Sequence, residues 1–194
     1  MKTIGITGGI GSGKTLVCQV FSSLGVPVFN SDSVAKDLMN NFDDLINKII
    51  SLFGEKAYKS NKLNRAYISQ IVFNDNEKLN ALNTLVHPRV RESFNIWSQR
   101  HDNKPYVLNE AALLIESGAH KVLDAIIYIN APEKIRISRV MIRDNCNETD
   151  VRNRIRNQWS DDQKIKHCKW IINNDNSEML LPQILDVHKE MISG

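Results

Sequence analysis

Near the start of the chain, Gly8-Gly9-Ile10-Gly11-Ser12-Gly13-Lys14-Thr15 fits the pattern G-x-x-x-x-G-K-[ST]. Glycines at this density let the backbone wrap tightly and turn successive N–H groups toward an anion. A helix predicted to start near Lys14 adds the positive end of its dipole. In such a loop the lysine reaches the β- and γ-phosphates of a nucleoside triphosphate, and the Thr15 hydroxyl sits on Mg2+. An ordinary strand-to-helix turn is the competing explanation, and the flanking residues argue against it. Ile4 and Ile6 alternate as a short strand before the loop, while Leu16, Val17, Val20, Phe21 and Leu24 share one helical face after it. The pattern marks a triphosphate site over residues 8–16, including Gly9, Gly11, Ser12, Gly13, Lys14, Thr15 and Leu16.

A second group of residues bears on what the triphosphate would do. Asp32 follows the second predicted strand by three residues. A carboxylate there can orient an acceptor hydroxyl and take its proton; an acceptor phosphate would need no such base. Asp32 equally suits the cap of a helix beginning near Ser33. Glu110 and Glu116 follow the third predicted strand. Glu110 can hold a hydrated Mg2+ or orient Lys14, and on their own residue types both also read as solvated loop acids. Arg136, Arg139 and Arg143 lie at i, i+3 and i+7, hence on one helical face, with Arg152, Arg154 and Arg156 after a polar break. Guanidinium groups closing over phosphates would neutralise transfer charge and exclude water, and Arg139 and Arg143 are the candidates for that lid. A solvated arginine face is the other reading. His87, beside Pro88, and Arg65 carry no signal of their own.

Strands expected at Thr3–Thr7, Val26–Phe29, Tyr106–Leu108, Ala125–Ile129 and Trp170–Ile172 alternate with helices, which implies a parallel sheet covered on both faces. Ligands on such sheets bind at the carboxyl ends of the strands. Residues 33 to about 100 read as almost wholly helical, with Gly54 stopping one helix and Pro88 opening another. The fold class expected is α/β: a P-loop type parallel sheet of about five strands. One domain over residues 1–194 would carry a helical substrate-side insertion near 33–104 and an arginine-bearing lid near 139–160.

Composition narrows the function. The 194 residues include 25 Lys/Arg and 22 Asp/Glu, a net +3 too mild for a general nucleic-acid binder. Between Lys134 and Lys169, however, ten basic residues stand against five acidic ones, which suits a local anionic ligand. The apolar runs are too short to span a bilayer. Glycines at 5, 8 and 9 interrupt any signal-peptide core, and three cysteines without a C-x-x-C pair suit a reduced, cytoplasmic protein. No D-x-x-G occurs, and neither Asn47-Lys48-Ile49-Ile50 nor Asn61-Lys62-Leu63-Asn64 supplies the aspartate of a guanine reader, so a GTPase is disfavoured. The residues point to a small ATP-dependent kinase. A nucleoside monophosphate kinase and a non-catalytic nucleotide-binding module are the rivals.

Taken in order, the motifs resemble the dephospho-coenzyme A kinase family. Ile4 to Lys14 resembles its T-G-G-I-G-S-G-K opening, and Asn30-Ser31-Asp32 its D-x-D. Leu63-Asn64-Arg65 and Leu82 to Val90, with His87-Pro88 inside, resemble its substrate-side helices. Ala112 to Glu116 resembles P-L-L-F-E, Arg139 with Arg143-Asp144 resembles R-x-x-x-R-D, Arg154-Ile155 with Gln158 resembles R-I-x-x-Q, and Ile171 to Asn174 the closing I-x-N. Asn30, Ala112, Lys169 and Asn176 depart from an aspartate, a proline, an acid and a glycine in that pattern. The resemblance implies phosphorylation of the ribose 3′-hydroxyl of dephospho-coenzyme A by ATP with Mg2+. It further implies Asp32, Lys14, Arg139 and Arg143 as catalytic residues, Arg139 and Asn174 on the ATP side, and Asp32, Arg65, His87, Glu110 and Leu113 toward the acceptor. No nucleic acid or membrane partner is expected of a monomer or weak homo-oligomer.

Overall fold

The computed structural model describes residues 1–193, with Asn74 as backbone alone. In chain order the first elements are strand β1 (Lys2–Thr7), helix α1 (Lys14–Ser23), β2 (Val28–Asn30), α2 (Ser31–Asn41), α3 (Asp43–Phe53), β3 (Tyr58–Lys59), β4 (Lys62–Leu63) and α4 (Arg65–Asn74). There follow α5 (Asn76–Gln99), β5 (Tyr106–Glu110), β6 (Ala125–Asn130), α6 (Glu133–Asp144), α7 (Glu148–Arg156), α8 (Asp161–Ile165), β7 (Trp170–Asn173) and α9 (Leu180–Ser193). The chain forms two compact units: Met1–Asn30 with the chain from Trp97 onward, and Ser31–Ile96.

The first unit is built on a parallel sheet in the order β2-β5-β1-β6-β7. β1 is central because its residues bury on both faces. Ile4 and Ile6 turn toward Val17 and Phe21 of α1 and Ile184, Val187 and Met191 of α9. On the opposite face Gly5 leaves just enough room for Leu114 and Leu123, which pack with Ala111, Ile115 and Ile126. Each fully buried Leu or Ile side chain contributes about 1.5–3 kcal/mol, so this two-sided burial holds the register firmly. The strands run one or two residues beyond the sequence expectation, to Asn30, Glu110, Asn130 and Asn173. All five therefore end in polar residues at one edge of the sheet, where the loop after β1 also lies.

The second unit packs α2 to α5 around Leu45, Ile49, Phe53, Ala57, Ile68 and Val86. Two expectations change here. The helical block is interrupted by the β3–β4 hairpin, whose turn residues Ser60 and Asn61 sit at φ 52° and 58°. Pro88 also does not open a helix; it lies inside the 24-residue α5. Leu82, Leu85 and Val86 before it and Val90 after it join the same core, and that shared burial outweighs the lost backbone bond. Among the described residues no helix is long and apolar enough to cross a membrane.

Candidate active site

The loop after β1 is shaped by glycine where nothing else fits. Gly11 and Gly13 adopt φ +79° and +94°, a left-handed region that side chains disfavour. A Cβ on Gly11 would lie 2.5 Å from the Arg136 carbonyl oxygen, and one on Gly13 would overlap the Asn174 amide. Ser12 donates its N–H to the Gly9 carbonyl at 3.1 Å, closing the turn that leads into α1. Lys14 is buried at the first position of α1, and its Nζ donates to the carbonyls of Gly8 at 3.0 Å and Gly9 at 3.4 Å. The ammonium is thus folded back along its own loop, beside N–H groups at a helix N-terminus. Ser12 is fully buried with its Oγ unpaired among the described residues, while Thr15 and Leu16 are exposed.

Groups from the other strand ends join this loop. Asn174, just past β7, donates Nδ2 to the Ser12 carbonyl at 2.7 Å. Arg139 on α6 reaches Asn174 Oδ1 at 3.5 Å and Asn176 Oδ1 at 3.3 Å through Nη2, and its buried Nη1 has no hydrogen-bond partner among the described residues. Glu110 is the last residue of β5, buried, and accepts from the Asn30 amide at the end of β2. It is not a solvated loop acid, because β5 extends to include it. Nor is Glu116, which accepts the Trp159 N–H at 3.0 Å and pairs with the fully buried Lys164 at 2.9 Å. Leu113 is exposed in the turn between them.

The arginine face divides. Arg136 is 4% exposed and ion-paired with Asp161 at 2.8 Å, so the solvated reading fails for it. Arg143 is exposed and does not join Arg139; it grips Asp144 at 2.7 and 3.0 Å. That grip, with Arg154 at 2.6 Å, holds the Asp144 carboxyl down at about 2.

The remaining sequence candidates lie in the second unit. Asp32 is exposed in the first turn of α2; the helix starts at Ser31, so Asp32 is inside it and not its cap. Arg65 is exposed at the start of α4, behind an Asn64 cap that accepts the Tyr67 N–H at 3.3 Å. His87 is half-buried in α5, and burial followed by the charge of Arg91 holds its imidazole below the ordinary histidine value.

Two contacts to the loop were not assigned from residue types. Gln158 Oε1 accepts the Ile10 N–H at 2.9 Å, and Arg136 lies against Gly9. The second had a signal: Arg136 shares a helical face with Val140, at i and i+4, on the side of α6 that Ile137 and Val140 bury.

The model of the dephospho-CoA kinase family matches residues 2–179, from β1 to just before α9. The chain belongs to the dephospho-CoA kinase family. It is 36% identical over 184 residues to a dephospho-CoA kinase of Bacteroides fragilis, covering 95% of this chain and 90% of that one. Among solved structures, one from Thermus thermophilus superimposes with a TM-score of 0.85 at 33% identity over 99% of this chain and 96% of that one. Dephospho-CoA kinase from Campylobacter jejuni gives 0.73 at 28% identity, over 99% and 98% of the two chains. Family membership accounts for the loop, the parallel sheet and the order of motifs along the chain together.

Proposed function

We propose that the chain transfers the γ-phosphoryl group of ATP to the ribose 3′-hydroxyl of dephospho-coenzyme A, giving coenzyme A and ADP. The observation that carries this is the loop of Gly8–Thr15, formed around a buried Lys14, within a family match over residues 2–179. In the transfer, a bond forms between the 3′-oxygen and the γ-phosphorus, the bond to the bridging oxygen of ADP breaks, and the hydroxyl proton passes to Asp32. Lys14 leaves its loop carbonyls for the phosphate oxygens, which bind an ammonium more strongly. Arg139 closes over the phosphates, an assignment supported by its buried Nη1, which has no hydrogen-bond partner among the described residues. Arg143 joins it from an exposed pairing with Asp144, since exposed ion pairs are weak enough to exchange. Asn174 contributes on the ATP side, and Arg65, His87, Glu110 and Leu113 on the acceptor side. The helical stretch near 33–104 serves as the substrate-side insertion and the stretch near 139–160 as the lid.

A divalent ion, Mg2+, accompanies ATP in this reading. The donors present fit a hard cation: the exposed Thr15 hydroxyl at the start of α1 and the buried Glu110 carboxylate at the end of β5. When bound, the ion neutralises charge on the β- and γ-phosphoryl oxygens. Asp32→Asn tests the base. Turnover should fall about 100-fold or more while ATP affinity stays within about twofold; near-normal turnover would remove Asp32 from the reaction.

A further inference from the structure

Arg136 is a buried cation that the proposed reaction does not use. Its guanidinium lies between two partners. Nη2 meets Asp161 Oδ2 at 2.8 Å, and Nη1 occupies the space where a side chain on Gly9 would stand. Asp161 is itself fixed on its other oxygen by the Tyr128 hydroxyl, from the middle of β6. One turn along α6, Val140 packs beside Gly11, and the Arg136 carbonyl closes against the same glycine. Three residues before Asp161, Gln158 accepts the Ile10 N–H at 2.9 Å and donates to the Ala112 carbonyl at 3.4 Å. The stretch 158–161 therefore reaches consecutive loop residues twice: Ile10 through Gln158, and Gly9 through Asp161 and Arg136.

We propose that Arg136, held by Asp161 and acting with Gln158, is a positioning residue that sets the phosphate loop in its anion-binding shape. Two physical effects combine. The first is steric and orienting: the Gln158 carbonyl holds the Ile10 N–H, and the Arg136 guanidinium fills the space beside the Gly9 Cα, so the loop is braced on that side in addition to its own Ser12-to-Gly9 backbone bond. The second is electrostatic. Arg136 is buried beside the loop, while Asp161 behind it is 35% exposed, so solvent screens the negative end more than the positive one and the net field at the loop favours a polyphosphate. Arg136 is not a catalytic residue, because it stands behind the loop backbone and is bonded away from the phosphates. Its influence belongs to ATP binding and leaves the acceptor alone.

This proposal rests on the loop being the ATP site. Its test is therefore read first without an acceptor, as calorimetric binding of a non-hydrolysable ATP analogue with Mg2+, and then as steady-state kinetics. Arg136→Met, which keeps the length and loses the charge, should weaken analogue binding about tenfold and raise the KM for ATP in parallel. The KM for dephospho-coenzyme A should stay within twofold, and Arg136→Lys should recover most of the loss. Analogue affinity equal to the parent in a folded Arg136→Met protein would overturn the proposal and leave Arg136 a purely structural residue. Should Arg136→Met fail to fold, Gln158→Ala carries the same question from the second contact. A several-fold weaker analogue, with an unchanged KM for dephospho-coenzyme A, supports the positioning role; unchanged affinity refutes it. Binding by the parent without turnover of dephospho-coenzyme A would count against the reaction assigned above while leaving these comparisons intact.

Discussion

Lys164 offers the sharpest test of the packing around the site. Its side chain is wholly buried, with its ammonium 2.9 Å from Glu116 Oε1. Glu116 is 12% exposed; it keeps one further donor, the Trp159 N–H at 3.0 Å, and its Oε2 has no hydrogen-bond partner among the described residues. Lys164→Met leaves a buried carboxylate with that single N–H. Removing one member of a buried pair costs about 3–5 kcal/mol. The surviving N–H puts this case at the lower end, about 3 kcal/mol, by the same reasoning. For a chain of this size that corresponds to a fall in melting temperature of about 6–12 °C. Glu116→Gln should cost a similar amount by stranding the ammonium. The double variant replaces the pair by neutral groups of like volume, and should lose about 2 kcal/mol or less instead of about 6. Urea denaturation of the four proteins near neutral pH measures the cycle. Single variants within 1 kcal/mol of the parent, or a strictly additive double variant, would refute the reasoning that the pair is mutually dependent.

Other outcomes follow from the same geometry. Gly13→Ala forces a Cβ into the left-handed region and onto the Asn174 amide, so ATP affinity should fall at least about tenfold; calorimetry giving parent-like affinity would contradict the tight fit. Burial pushes the Cys168 thiol up to about 11 and the Cys18 thiol further, because it disfavours the thiolate. At pH 8 only about one Cys168 in a thousand is then ionised, so iodoacetamide should label both sites slowly and faster with each added pH unit; peptide mass mapping that found rapid labelling at pH 8 would refute it.

How far the sequence reached depends on how locally each feature is determined. The loop was legible because its glycines, lysine and threonine perform their role within eight residues, and the alternation of Ile4 and Ile6 marks the strand that feeds it. The strand ends were misjudged because Glu110 and Asn173 are polar; they belong to the sheet through pairing with Ile6 and Asn130, which is a tertiary fact. The β3–β4 turn carries no glycine, so its two left-handed residues, Ser60 and Asn61, gave little warning. Pro88 misled because a local breaker was read without the core on both sides of it. Lys164 sits in a run from Ser160 to Lys166 with scarcely an apolar residue, and only a distant glutamate explains its burial. Arg136 stands four residues before Val140 on the buried face of α6, which the spacing shows; that its guanidinium is held by Asp161 is a tertiary fact that the spacing does not carry.

The acceptor is what separates the proposed reaction from that of a nucleoside monophosphate kinase. The decisive measurement is ADP release from the purified chain with ATP and Mg2+, comparing dephospho-coenzyme A, AMP, CMP and no acceptor, with the product identified by mass and by the position of its new phosphate. Rapid release with dephospho-coenzyme A alone, and coenzyme A phosphorylated at the ribose 3′-oxygen, is the expected result. Release driven by a nucleoside monophosphate, or tight ATP binding with no acceptor-dependent release at all, would contradict it.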